Sequence, residues 1–248
     1  MALEVSYSKE QMEIFMLKQE IDFLKGNGID TIDEDGSPSV PYILEPQETM
    51  LIQEFLEPDD CVLELGGRTG TMSCYINKRL SEPTRHVVVE PDKGVHNIIE
   101  ENRSRNNCEF TLVDGVLASV PLRLIGSGNA TTCIPCSLAH EPLLDYNLAY
   151  VQSLVDTPFT CLIADCEGCL QYLMDDNPEM FGELRCFIYE EDCKPKTDYE
   201  KLTRILKDAK MSCRRIIRSD PKHIVWTDRH TFLKSKKIAP TSTPKNKK

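Results

Sequence analysis

Hydrophobic and polar positions follow three successive patterns along this chain. Behind Ser8 and Gln11, which pair as a capping box, Met12, Phe15, Met16 and Phe23 recur at helical spacing and stop at Gly26-Asn27-Gly28, which predicts an amphipathic helix. Residues 29–42 are acidic, aperiodic and marked by proline, as a connector is. A second helix is predicted over residues 47–56, with Met50, Leu51 and Phe55 on one face and Pro58 beyond its end. From Cys61 onward the pattern changes again. Short apolar runs at residues 61–65, 86–89, 110–113, 161–164, 185–189, 213–217 and 223–227 alternate with segments of helical length. Runs this short, joined by helices, are how parallel strands buried on both faces look in a sequence. The expected fold is therefore α/β, with a Rossmann-like, mostly parallel central sheet flanked by helices. The runs LRLI and TTCIP flank Gly126-Ser127-Gly128-Asn129, which predicts an inserted β-hairpin.

The turn after the first strand-like run, Gly66-Gly67-Arg68-Thr69-Gly70, adds chemistry to this picture. Glycines let backbone N–H groups and the next helix N-terminus approach a ligand. Glu90 closes the following run, where a carboxylate can accept from both hydroxyls of a ribose. Dinucleotide sites use G-x-G-x-x-G; this chain has Glu64-x-Gly66-x-x-x-Gly70. An acid is unfavourable beside a pyrophosphate but suits a ligand with an ammonium and a sulfonium, which describes S-adenosylmethionine. The alternative is a turn whose glycines serve packing alone. The expected cofactor-binding residues are Glu64, Gly66, Gly67, Gly70, Glu90 and Asp114. Asp114 is read as acceptor for the adenine amine, or else as a turn cap with Gly115.

Four later runs end in acid, at Glu90, Asp114, Asp165 and Glu190. Ligands of open parallel sheets bind at the carboxyl ends of the strands, so these acids form a rim suited to a cationic cofactor and supply bases. Asp165 is the first catalytic candidate, with Glu167 and Glu190 behind it. Alternatively, Asp165 with Glu190, Glu191 and Asp192 holds Mg²⁺ or Mn²⁺, which favour oxygen ligands. Cys133-x-x-Cys136 and Cys166-x-x-Cys169 have zinc-like spacing. Yet the second pair interleaves with Asp165, Glu167 and Gly168, so plain thiols are expected. His140 is the one histidine considered near substrate, a surface-loop histidine being the alternative.

Charge narrows the partners. The 248 residues carry a net charge of −11, which becomes −17 once the six lysines of the acid-free tail 234–248 are set aside. Such a body repels phosphate backbones, and no nucleic-acid partner is expected. Eleven cysteines, an odd number with several inside strand-like runs, point to reduced thiols and a cytoplasmic protein. No apolar stretch is long enough for a membrane span. The expected organisation is an N-terminal helical extension over residues 1–45, one cofactor-binding domain over 46–233 and a disordered basic tail over 234–248.

The run LIADCEGCLQYLM resembles the D-x-E-G strand-to-helix signature of FkbM-type methyltransferases. The order VLELGGRTGTMS, VVVEPD, hairpin, DCEG, FIYEE and a closing helix such as TDYEKLTRILKDAKM is similar to that family over residues 46–232. Cys169-Leu170-Gln171 stands where the family often has a second acid. The resemblance implies a class I methyltransferase fold, S-adenosylmethionine, and O-methylation of a sugar, glycan or glycosylated small molecule. Two other functions stay open: a nucleic-acid methyltransferase, against which the charge and the lack of an N/D-P-P-Y/F motif speak, and a non-catalytic module binding cofactor or a partner.

Overall fold

The computed structural model describes residues 3–5, 14 and 28–228, apart from 127, 129, 130, 138, 192, 194, 219 and 220. The helix predicted behind Ser8, Ile14 excepted, and the basic tail lie outside the described residues. Strand β1 (Leu3–Val5) is followed by a small antiparallel pair, β2 (Thr31–Ile32) and β3 (Pro38–Ser39), and by helices α1 (Pro41–Leu44) and α2 (Pro46–Phe55). Alternation then begins with β4 (Val62–Leu65), α3 (Thr71–Asn77), β5 (His86–Glu90), α4 (His96–Arg105) and β6 (Thr111–Asp114). An insertion follows, containing β7 (Val116–Leu117), β8 (Leu122–Ile125), β9 (Thr132–Pro135), β10 (Asp145–Tyr146) and α5 (Leu148–Gln152). The chain closes with β11 (Cys161–Ala164), α6 (Leu170–Asp176), a 3₁₀ turn (Pro178–Gly182), β12 (Cys186–Glu191), α7 (Tyr199–Asp208), β13 (Ser212–Ile217) and β14 (Lys222–Thr227). The expected hairpin is present as the antiparallel pair β8–β9.

The central sheet runs β1-β13-β14-β12-β11-β4-β5-β6. Every pairing in it is parallel except those of β14, which lies reversed between β12 and β13. This is the Rossmann-like class I methyltransferase fold, as expected. Strand order reverses between β4 and β11, so the crevice above that junction is the natural ligand site.

Alternation along the strands assigns each residue a face. Leu63, Leu65, Leu162, Ala164, Phe187 and Tyr189 pack on one side with Phe181, Leu202 and Leu206. Val62, Cys161, Ile163, Cys186, Ile188 and Val225 pack on the other, against Leu51 and Ile52 of α2 and Ile76 of α3. Each valine, leucine, isoleucine or phenylalanine among them contributes about 1.5–3 kcal/mol by leaving water, so the two layers hold the sheet against its helices. Helix α2 starts at a proline, whose missing N–H is one of the unpaired donors anyway, and ends three residues before Pro58. Residues 29–45 join the same body. Ile29 packs with Val95 and Ile99, and Asn102 of α4 donates to the carbonyls of Ile32 and Thr69 at 2.7 and 2.8 Å. Among the described residues no helix is long and apolar enough to cross a membrane.

Candidate functional site

The glycine turn ends β4 and presses against its neighbours. A Cβ on Gly66 would lie 1.7 Å from the Asp165 carbonyl oxygen, and its φ of +91° is one that side chains disfavour. A Cβ on Gly67 would meet Val88 at 2.5 Å, and Gly70 turns the chain into α3 at φ +79°. Glycine is thus required by close approach to β5 and β11. Glu90, at the end of β5, accepts from the backbone N–H of Arg68 and of Asp92, both at 2.8 Å. It therefore holds the loop as well as facing the cavity, and burial pushes its carboxyl up against the pull of those two donors.

A cavity of about 410 Å³ opens above the β4–β11 junction. Gly66, Gly67, Glu90, Asp165, Glu167 and Glu190, all expected site residues, line it. The turn after β11 is held in an unusual conformation, with Glu167 at φ +49° and Gly168 at +97°. Thr132 of β9 donates to the Glu167 carbonyl at 2.5 Å, so the inserted hairpin braces this turn. Left-handed backbone at a non-glycine residue costs of order 1–3 kcal/mol and concentrates at functional sites.

Several expected residues stand elsewhere. Glu64 does not line the cavity. It shares the inward face of β4 with Val62, is 2 % exposed, accepts from Ser73 Oγ at 2.8 Å and lies 2.8 Å from His86 Nε2. A carboxylate one residue short of the strand end points into the sheet–helix interface, not over the edge, so Glu64 is a buried polar anchor. Asp114 stands beside the cavity at the end of β6. Its Oδ2 is 3.4 Å from Lys93, whereas its buried Oδ1 has no hydrogen-bond partner. Glu191 alternates to the face opposite Glu190 and pairs with Lys222, and Asp192 lies outside the described residues. Among the described residues no three His, Cys, Asp or Glu side chains are placed to hold a metal ion. His140 bonds Ser137 in an exposed loop. Cys136 donates to the carbonyls of Ser137 and His140, whereas Cys133, Cys166 and Cys169 line the cavity. Cys133 and Cys166 against the buried Cys169 sulfur push that thiol up and keep it protonated.

Two acids that the sequence reading passed over dominate the cavity wall. Glu45 precedes α2, and Glu48, 6 % exposed, sits in its first turn. Glu48 stands three and four residues before Leu51 and Ile52, an acid on the buried stripe of a helix, which was the available signal. Burial pushes the Glu48 carboxyl well above the usual range, and Asp165, Glu45 and Glu64 add to the push. Burial, then Asp165, raises Glu45 from 4.5 to about 7. His223 on β14 lies 3.6 Å from Glu190 and is driven down to about 4 by burial, so it is neutral there.

A raised carboxyl binds its proton more tightly in the folded state, so its stabilising share is complete below 4.5 and is lost as pH climbs to about 7. Glu45→Gln is accordingly expected to match wild type at pH 4.5 and to exceed it at pH 8 by about 1–2 kcal/mol, after allowance for the group's partial exposure. Denaturant unfolding at the two pH values checks this; an equal difference at both would assign the effect to something other than the charge.

No family model matches this chain, and no curated protein does. Solved structures do. An O-methyltransferase from Bacillus cereus in complex with SAH is 13 % identical over 90 % of this chain and 92 % of its own, with a TM-score of 0.44. Ribosomal protein L11 methylase from Lactobacillus delbrueckii subsp. bulgaricus is 14 % identical over 75 % and 79 %, at 0.46. A methyltransferase from Pyrococcus furiosus is 16 % identical over 89 % and 98 %, at 0.45. The fold itself rests on the strand order and register above.

Proposed function

We propose that this chain is an S-adenosylmethionine-dependent methyltransferase that modifies a hydroxyl of a carbohydrate or glycosylated small molecule. One observation carries the reading: Glu90 at the end of β5, the glycine turn after β4 and Asp165 after β11 face one cavity at the point where strand order reverses. The residues fit the cofactor. Glu90 accepts from the ribose hydroxyls, and the orphaned Asp114 Oδ1 accepts from the adenine amine. S-adenosylmethionine, when bound, supplies an activated methyl group. The chain supplies position and a base. Asp165 takes the proton of the acceptor hydroxyl, with Glu167 and Glu190 beside it, while Leu44, Met72 and Leu124 limit water at the wall. The acid-rich lining disfavours nucleic acid as acceptor.

The test starts with the cofactor. S-adenosylmethionine and S-adenosylhomocysteine are expected to raise the melting temperature by mass action, and NAD is not. Glu90→Ala is expected to weaken cofactor binding by about 1.5–3 kcal/mol in calorimetry, the scale of a lost charge-assisted hydrogen bond. Equal stabilisation by NAD, or an unchanged affinity in the variant, sinks the cofactor assignment. Label from the cofactor methyl, offered with sugars, glycans, RNA and protein, then identifies the acceptor class.

A further inference from the structure

The proposed function leaves the Glu45–Glu48 wall without a task. Among the described residues eight carboxylic acids line the cavity, those of Asp33, Glu45, Glu48, Glu90, Asp92, Asp165, Glu167 and Glu190. Among the described lining residues the one cationic side chain is that of Arg68, which pairs with Glu34. Glu48 is the sharpest case. Its side chain is more than nine-tenths buried, it opens on the cavity, and it has neither a hydrogen bond nor a cation partner among the described residues. A buried carboxylate left in that state is costly unless a ligand completes it.

We propose that Glu45 and Glu48 form the subsite for a protonated amine on the acceptor, so that the substrate is a cationic, amine-bearing molecule such as an amino sugar. The inference rests on the methyltransferase reading and names its acceptor class. Three features support an organic ammonium. Among the described residues no three acids converge tightly enough for a metal ion. Asp165, next to both glutamates, stands close enough to raise them, which places the amine one group away from the base. Leu44, half-exposed at the end of α1, and Met72 on α3 give the carbon skeleton around the amine an apolar contact. Neutral, the two carboxyls donate to nothing; an arriving ammonium donates to both, displaces their protons into solvent and cancels the mutual repulsion with Asp165.

The experiment uses the full chain loaded with S-adenosylhomocysteine, titrated calorimetrically with glucosamine, N-acetylglucosamine and putrescine. Glucosamine is expected to bind with release of protons, seen as a heat that depends on the buffer's ionisation enthalpy. N-acetylglucosamine, which lacks the charge, is expected to bind at least tenfold more weakly, in keeping with loss of a charge-assisted contact. Glu48→Gln and Glu45→Gln each retain shape and are expected to lower glucosamine affinity about 10- to 100-fold while S-adenosylhomocysteine affinity stays unchanged. Putrescine binding with the same variant sensitivity upholds the amine subsite and overturns the carbohydrate part of the reading. Failure of S-adenosylhomocysteine to bind wild type overturns the methyltransferase reading itself. Normal S-adenosylhomocysteine binding with no preference for either amine over N-acetylglucosamine overturns the subsite alone. So does an equal loss of S-adenosylhomocysteine affinity in the two variants, which would give the glutamates to the cofactor's own ammonium.

Discussion

Asp165→Asn is expected to lower turnover by about 10²–10⁴-fold while cofactor affinity stays near wild type, because the amide keeps the shape of the side chain and loses its capacity to take a proton. The residue follows Ala164 at the end of β11, on the face that β11 shares with Ile163, and so looks toward the start of α2 and into the cavity. A capping role is the competing account, yet the residue at the N-cap of α6 is Cys169, four positions further on, with no side-chain cap bond. Single-turnover rates and calorimetric cofactor titration on the same variant separate the two accounts. A protein that melts lower but turns over normally would remove Asp165 from the chemistry.

Gly66→Ala is expected to cost about 3–5 kcal/mol of folding stability, combining a left-handed backbone with an overpacked contact. The added methyl would fall 1.7 Å from the Asp165 carbonyl oxygen, which is backbone and cannot swing aside. β4 and β11 would have to part where the glycine turn meets Asp165, so cofactor binding is expected to fail with it. Gly36→Ala is the control: its φ of +79° is similar, but nothing lies within 4 Å of the added carbon. That change is expected to cost about 1–2 kcal/mol, the left-handed penalty alone. Thermal melts would show a shift of roughly 10 °C or more for Gly66→Ala and a few degrees for the control. Equal shifts would mean that the close approach to β11 contributes nothing.

Much of the architecture was legible because it depends on local pattern. Continuous apolar runs between helical segments foretold the parallel strands, and the observed β11 coincides with residues 161–164. The Gly-rich turn, the acids at strand ends and the hairpin were legible for the same reason: each is a short-range signature of backbone geometry or of a strand's exit from the sheet. Within the N-terminal extension, residues 29–45 pack on α3 and α4 and contribute Asp33 and Glu45 to the cavity, a long-range contact that local pattern does not carry.

What only the tertiary structure decided is which way each acid faces and what stands across from it. Glu64 and Glu90 look alike in sequence, an acid after apolar residues at a strand's end. Glu64 comes one residue before its strand runs out and is turned inward to Ser73 and His86, while Glu90 clears the edge and meets the loop N–H groups. Glu190 and Glu191 are adjacent in the chain and on opposite faces of β12, so period-two alternation divides a cluster that looked like a ligand set. Glu48 gains its character from burial first and then from Asp165, more than a hundred positions away, because both act through space. The sequence by itself determined the elements, their order and the residue types at the strand ends, since these follow from local backbone preference and hydrophobic period. Orientation, burial and charge neighbours belong to the folded chain, since they arise only when α2 and β11 are brought side by side.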